Sequence, residues 1–483
     1  MVLRQELLVG FILLSFCLPG SCNLVFEVQH KFKGREKTLN ELRSHDVRRH
    51  GRLLSIVDLE LGGNGQPAET GLFFARIGLG TPPNDYYVQV DTGSDVLWVN
   101  CMGCSNCPEK SDIDVELRLF DPKGSSTAKF ITCDQSSCSA MYGGSTIRDC
   151  KPDMLCRYTI IYGDGSATTG DFVKDYIHLQ QVVGNHQTTV TNGSIEFGCA
   201  TKQSGELGTA SEALDGIIGF GQANSSIISQ LAASGKVKKI FAHCLDSVSG
   251  GGIFAIGDVV EPTVKTTPVI PHQVHYNVVL NGVKVGETTL DLPVGLFETE
   301  YRREAIIDSG TTLAYLPGHI YHPLMQKILG AQPGLKLRTV DHQFTCFKYD
   351  EKNPPDCDQI KNSISLITMR KKDCDFYTIL FIWRIEDDMW CVGWQNSGTQ
   401  SRDGREVTLL GDLVLQNKLI YYNLENQTLG WIEYNCTSGI KLREEKSGKV
   451  YTVGAHRLSS AASIIEIGRL LPLLLAFTLF FIQ

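Results

Sequence analysis

The sequence predicts a mostly β chain folded as two homologous lobes with a cleft between them. Three observations carry this reading. An Asp-hydroxyl-Gly-hydroxyl tetrapeptide occurs twice, as Asp91-Thr92-Gly93-Ser94 and Asp308-Ser309-Gly310-Thr311, 217 positions apart (308 minus 91). Each copy is followed downstream by two large aliphatics and a glycine, Ile217-Ile218-Gly219 and Leu409-Leu410-Gly411. A self-repeat above about 100 residues is too long for a solenoid and points to duplicated lobes. Runs such as Val274-His275-Tyr276-Asn277-Val278-Val279-Leu280 and Leu419-Ile420-Tyr421-Tyr422 have strand composition, turn signals recur between them, and long amphipathic helical patterns are scarce. With 483 residues, 42% of them apolar, and 47 glycines, the chain is long enough for two cores of about 200 residues each.

Each motif aspartate ends an apolar, β-prone run, Tyr86-Tyr87-Val88-Gln89-Val90 before Asp91 and Ala305-Ile306-Ile307 before Asp308. A turn glycine, Gly93 or Gly310, follows at once, so both carboxylates are expected at strand tips. A single copy would read as an ordinary β-turn. Two carboxylates brought together cannot both ionise cheaply and share a proton, one acting as base and the other as acid toward a bound water. That chemistry suits peptide-bond hydrolysis with Asp91 and Asp308 as the catalytic pair, and it needs no metal or cofactor.

Between the motifs stands Tyr162-Gly163-Asp164-Gly165-Ser166, a turn sequence with a tyrosine immediately before it. Together these residues resemble a pepsin-type aspartic protease, of the cysteine-rich, membrane-anchored plant branch related to nepenthesin, from Gly71 to Cys436. The resemblance implies a pepsin-like bilobal fold, with Tyr162 on a flap that closes over a polypeptide substrate. It implies that Thr92 and Ser309 lock the two loops together and that Ser94 and Thr311 hydrogen-bond the outer carboxylate oxygens. Trp98 matches the aromatic that supports the flap tyrosine, although a tryptophan seven residues past a strand tip also reads as core. A monomer is expected.

Taken in order, residues 1–22 read as a signal peptide: Arg4, an apolar run from Leu7 to Leu18, then Pro19-Gly20-Ser21-Cys22. Residues 23–67 read as a propeptide. Their basic stretch, His30 to Arg52, carries eight cations (Lys31, Lys33, Arg35, Lys37, Arg43, Arg48, Arg49, Arg52) against Glu36, Glu41 and Asp46, suited to capping an acidic cleft until the carboxylates protonate. A solvated linker is the plainer alternative. The first lobe is assigned to 68–262, the second to 263–438 and a stalk to 439–460. Small residues Ser459 to Ser463, a charged spacer and the apolar tail Leu470 to Gln483 match a glycosylphosphatidylinositol signal, with attachment at Ser460 and removal of 461–483. A type I span is the weaker alternative, since fourteen residues at about 1.5 Å each do not cross a bilayer. The expected location is the outer face of the plasma membrane.

Removing Cys17 and Cys22 from 16 cysteines leaves 14, enough for seven disulfides in an oxidising compartment. Cys101-x-x-Cys104-x-x-Cys107 could be part of a metal site, but secreted thiols usually pair with one another. By resemblance, Cys346 pairs with Cys391 and Cys199 reaches Cys436. Residues 353–384 depart from the family pattern; Cys357 and Cys374 there are either an added disulfide or the mark of altered splicing or an imperfect gene model. Sequons at Asn192, Asn224, Asn426 and Asn435 offer N-glycan sites.

A net charge of −8 and a pI near 5.9 give no support for nucleic-acid binding. Gly78-Leu79-Gly80 lacks the third glycine of a dinucleotide site, and the 12 histidines include no His-Glu-x-x-His. The rival reading is a catalytically silent binding or inhibitor protein on the same scaffold. It is disfavoured because both aspartates, their hydroxyl neighbours and Tyr162 are all present.

Overall fold

A computed structural model describes residues 55–458 apart from 291–303, 331–335, 341–343, 349–363, 369–374, 398–405 and several shorter stretches. The signal peptide, the basic stretch to Arg52, Cys357, Cys374, Ser460 and the apolar tail lie outside the described residues.

The duplication expected from the motifs is present strand by strand. In the first lobe Phe73–Leu79 pairs antiparallel with Asn84–Asp91, which Gly216–Gly219 joins in parallel, while Ile217 faces Trp98 of the antiparallel strand Trp98–Ser105. In the second, Tyr276–Val285 pairs antiparallel with Glu304–Ile307, Thr408–Leu410 joins it in parallel, and Leu409 faces Tyr315 of Ala314–Leu316. The aliphatic pairs of both tripeptides thus lie in short parallel strands beside the motif strands. Their glycines are required by close approach. A Cβ on Gly219 would lie 2.3 Å from the Asp95 carbonyl carbon, and one on Gly411 2.2 Å from the Leu313 carbonyl oxygen.

The first lobe also carries a long hairpin, Ala167–Gly184 with Gln187–Ser204, against which Arg157–Ile161 pairs. Between the lobes runs a sheet drawn from both halves: Ile240–Leu245 pairs with Gly252–Ile256 on one side and with Lys418–Asn423 on the other. Aromatic rings pack on one face of it, Phe241 stacking on Tyr422 at 4.4 Å and Phe220 lying tilted 4.5 Å from Phe254 between ring centroids. These rings join the large apolar cluster that underlies the motif strands.

Both terminal segments are built into the fold. Within the residues assigned to the propeptide, Val57–Leu59 is inserted between Gly252–Ile256 and the long hairpin, and Leu61–Gly63 pairs with Phe73–Leu79. Val57, Leu59 and Leu61 are buried, so residues 55–63 belong to the folded core. The stalk 439–460 is also folded for most of its length. Ile440–Arg443 and Val450–Val453 form a three-stranded sheet with Asp258–Glu261, burying Ile440, Leu442 and Val453. The two terminal segments meet where Leu458 N–H donates to the Leu61 carbonyl and His456 Nε2 lies 2.7 Å from Asp58 Oδ2.

Six disulfides occur among the described residues: Cys101–Cys199, Cys104–Cys107, Cys133–Cys150, Cys138–Cys156, Cys244–Cys436 and Cys346–Cys391. The pairing of Cys199 with Cys436 is therefore corrected. Cys199 sits on a strand parallel to Trp98–Ser105, opposite Val99 and so two residues from Cys101, whereas Cys436 follows Thr428–Glu433 and reaches Cys244 in the interlobe sheet. Cys101, Cys104 and Cys107, the three thiols weighed as metal ligands, all lie in these disulfides.

Candidate active site

The two motif strands end at the lobe junction and deliver Asp91 and Asp308, 5% and 9% exposed, to one place. Two measures of space show how close they come. A Cβ on Gly93 would lie 2.5 Å from Asp308 Oδ1, and one on Gly310 2.1 Å from Asp91 Oδ1. Only glycine lets each loop pass the opposite carboxylate.

The hydrogen bonds repeat across the junction. Gly93 N–H donates to Asp91 Oδ1 at 2.7 Å and Gly310 N–H to Asp308 Oδ1 at 2.8 Å. Ser94 Oγ donates to Asp91 Oδ2, and Thr311 Oγ1 to Asp308 Oδ2 at 2.7 Å. Beneath them Thr92 N–H donates to Ser309 Oγ at 3.2 Å, and Ser309 N–H donates to Thr92 Oγ1 at 2.9 Å. Thr92 Oγ1 also donates to the Ile307 carbonyl, and Ser309 Oγ to the Val90 carbonyl. Gln89, not anticipated from sequence, adds a bond from Nε2 to the Gly310 carbonyl at 3.0 Å.

Burial, followed by the facing charge of Asp308, raises Asp91 well above the ordinary carboxylate range. The bonds from Ser94 and Gly93 act in the opposite sense and are outweighed. Two buried carboxyl groups in hydrogen-bond reach hold one proton between them, and that proton belongs to the pair.

Tyr162 caps the hairpin made by Arg157–Ile161 and the start of Ala167–Gly184, in register Ile161 opposite Ala167. Its hairpin turn closes through Gly165 N–H to the Tyr162 carbonyl, and Asp164 Oδ1 accepts from both Ser166 N–H and Ser166 Oγ. Trp98 Nε1 donates to Tyr162 Oη at 2.6 Å. Burial first, then the charge of Asp91, raises the Tyr162 phenol, keeping it neutral beside the carboxyl pair.

Three buried side chains at this junction were missed in the sequence. Asp412 follows Gly411, and burial first, then Asp308 and Asp91, holds its carboxyl far above the ordinary range and neutral. The matching position after Gly219 is Phe220, which a closer comparison of the two tripeptides would have exposed. Tyr422 and His243, whose Oη and Nε2 lie 3.1 Å apart, carry no local signal.

The remaining sequence candidates lie elsewhere. Cys346 and Cys391 bridge neighbouring strands of the second lobe. Asn192, Asn224, Asn426 and Asn435 are exposed. Among the described residues no cluster of His, Cys, Asp and Glu could hold a metal ion.

Comparison with known proteins agrees with the geometry. Residues 73–258 match the family model described as xylanase inhibitor N-terminal, and residues 275–433 the one described as xylanase inhibitor C-terminal. Aspartic proteinase 36 of Arabidopsis thaliana is 48% identical over 466 residues, covering 96% of this chain and 94% of that protein. Aspartic proteinase 39 of the same plant is 44% identical over 479 residues, covering 98% of each. Basic 7S globulin from soybean, a solved structure, shares the fold with a TM-score of 0.60 at 19% identity, over 79% of this chain and 96% of that one.

Proposed function

The chain belongs to the plant pepsin-type aspartic proteinase family, and from that premise we propose that it is an endopeptidase cleaving peptide bonds through Asp91 and Asp308. The observation that carries the proposal is the completeness of the carboxyl pair: both acids, both hydroxyls on their outer oxygens and both loop-locking hydroxyls are in place. The pair holds a single proton. Its ionised member takes a proton from a water lying between the carboxyls as that water attacks the scissile carbonyl. Its protonated member donates to the carbonyl oxygen, stabilising the tetrahedral intermediate. Collapse of that intermediate passes a proton to the leaving amine and restores the pair. One proton shared by two acids calls for an acidic optimum, and statine-type mimics of the tetrahedral state should inhibit.

We further propose that the enzyme is secreted, N-glycosylated at some of its four exposed sequons, and tethered outside the cell by a lipid anchor near Ser460. The support is the leader-like start, the small-spacer-apolar order of the last residues and six disulfides, which call for an oxidising compartment.

A binding protein without catalysis is the second reading, favoured by the inhibitor description of the matching family models. Cleavage of a denatured protein mixture by residues 23–459, from pH 3 to pH 7, with and without pepstatin, separates the two. Acid cleavage blocked by pepstatin and absent in Asp308→Asn supports the enzyme. Silence from a folded sample free of the basic segment supports the binder.

A further inference from the structure

The bonds beneath the catalytic pair come in mates. Thr92 and Ser309 exchange N–H donors, and the Thr92 hydroxyl reaching the Ile307 carbonyl is answered by the Ser309 hydroxyl reaching the Val90 carbonyl. The bond from Gln89 has no mate. Its Nε2, two residues before Asp91 in the chain, donates at 3.0 Å to the carbonyl of Gly310, two residues after Asp308. Gln89 lies in its sheet between Phe74 and Ile217. The matching position of the second lobe, between Asn277 and Leu409, is Ile306, whose side chain has no polar atom.

A second unmated bond falls on the same loop. Thr312 Oγ1 donates to the Gly71 carbonyl, whereas Asp95, the residue that matches Thr312, accepts from Ala223 N–H in its own lobe. Thr311, whose hydroxyl donates to Asp308 Oδ2 at 2.7 Å, therefore stands between two residues tied to the first lobe.

From this asymmetry we infer that Gln89 is a positioning residue for the catalytic pair, a one-sided tie that fixes the Gly310–Thr311 peptide and so aims the Thr311 hydroxyl at Asp308. The inference rests on the catalytic reading above.

The peptide unit is planar, so holding the Gly310 carbonyl oxygen also holds the nitrogen and Cα of Thr311, from which Oγ1 reaches out. Gln89 shares a strand with Asp91, so the tie also spaces one carboxyl group against the loop of the other. That loop has little room to turn: a Cβ on Gly310 would lie 2.1 Å from Asp91 Oδ1. A primary amide suits the task because it does not titrate. It keeps its donor through the acidic range in which the pair exchanges its proton, whereas a carboxyl group in its place would lose the donor on ionising. Gln89 is half-buried, so water can replace part of a lost bond, and the effect of removing it should fall short of the roughly 100-fold cost of a 1 Å displacement.

The test uses the full chain and two independent readouts. Gln89→Met, close in shape but without a donor, should lower kcat about tenfold with KM little changed, and by the same factor from pH 3 to pH 6. Gln89→Glu donates only when its carboxyl group is protonated. Its kcat relative to wild type should be no better than that of Gln89→Met at pH 6 and should recover towards wild type as pH falls through about 4.3. Dividing by the wild-type value at each pH removes the titration of the pair itself. Gln89→Met with wild-type kcat, a rise in KM alone, or a Gln89→Glu deficit flat across pH would overturn the inference. Should Gln89→Met fail to fold, the pH profile of Gln89→Glu decides alone. The second readout needs no turnover. Gly310–Thr311 is one of four Gly-Thr bonds in the chain, so labelling glycine at the carbonyl carbon and threonine at nitrogen isolates its signal. That carbon signal should move in Gln89→Met while the others stay; an unmoved signal would overturn the tie. Wild-type turnover is measured first: its absence would sink the proposed activity, and the tie would then be judged on the carbon signal.

Discussion

Thr92 and Ser309 exchange hydrogen bonds across the lobe junction, each backbone N–H donating to the other's hydroxyl at 3.2 and 2.9 Å. Neither residue is exposed beyond 1%. The exchange ties two loops from distant parts of the chain into one support, so both carboxyl groups inherit the same reference frame. Ser309→Ala removes the acceptor of Thr92 N–H and the donor to Val90 O. Each orphaned buried group costs about 1–3 kcal/mol, and a carboxyl displaced by about 1 Å loses about 100-fold in rate. A fall in kcat far beyond what the drop in folded fraction accounts for is expected. Parallel thermal melts and active-site titration check it, and a variant with unchanged kcat per folded molecule would reject the support role.

Gly310 gives a sharper steric test. Its φ does not require glycine, but an added Cβ would lie 2.1 Å from Asp91 Oδ1 and 3.1 Å from Asp308 Oδ1. Gly310→Ala should therefore push the two carboxyl groups apart while leaving the surrounding strands paired. Turnover should fall by at least about 100-fold and binding of a statine-type inhibitor should weaken with it. Retention of tight inhibitor binding would show that the pair lies elsewhere.

What could be read from the chain was the part fixed by local chemistry. The two motifs carried the carboxyl pair and its turn glycines in eight letters, and the family resemblance supplied the roles of Ser94 and Thr311. Ile217-Ile218-Gly219 and Leu409-Leu410-Gly411 were legible as a repeat, while the backbone approach that requires their glycines came from the structure. The folded part of the terminal segments was not foreseen because charge is more conspicuous than alternation: the basic run to Arg52 overshadowed residues 55–63, where Val57, Leu59 and Leu61 alternate as a strand does. His243 and Tyr422 meet across strands 179 positions apart, and no spacing rule reaches that far.

Beyond Cys346–Cys391, which the family resemblance implied and the structure holds, disulfide pairing was illegible for a combinatorial reason, since 14 cysteines allow many pairings and only strand neighbours decide among them. Digestion without reduction should release peptides linking Cys101 to Cys199 and Cys244 to Cys436, read by mass spectrometry. A peptide linking Cys199 to Cys436 would contradict the fold. The Cys244–Cys436 bridge spans 192 positions and fastens the start of the C-terminal segment to the interlobe sheet. Replacing both by serine should cost about 2–5 kcal/mol, seen as a lowered unfolding midpoint in denaturant.

The pair Asp58 and His456 makes stability depend on pH. Asp58 lies on the inserted strand Val57–Leu59, His456 beyond the last strand, and they are 2.7 Å apart. The hydrogen bond to Asp58 raises His456, while burial raises Asp58 against the opposing pull of His456, with Glu60 and His186 nearby. Both groups hold protons more tightly folded than unfolded, so the native chain binds more protons and stability falls as pH rises. The His456 contribution is complete below the ordinary histidine value of about 6.5 and is lost as pH climbs through its raised folded value. His456→Gln should therefore melt lower than the wild type at pH 5.5, and the gap should narrow by pH 8.5. Melting curves of the two proteins over that range check it. A gap constant with pH would mean that His456 contributes only packing, and a gap that widens would mean that the charged imidazole destabilises the clasp between the two ends of the fold.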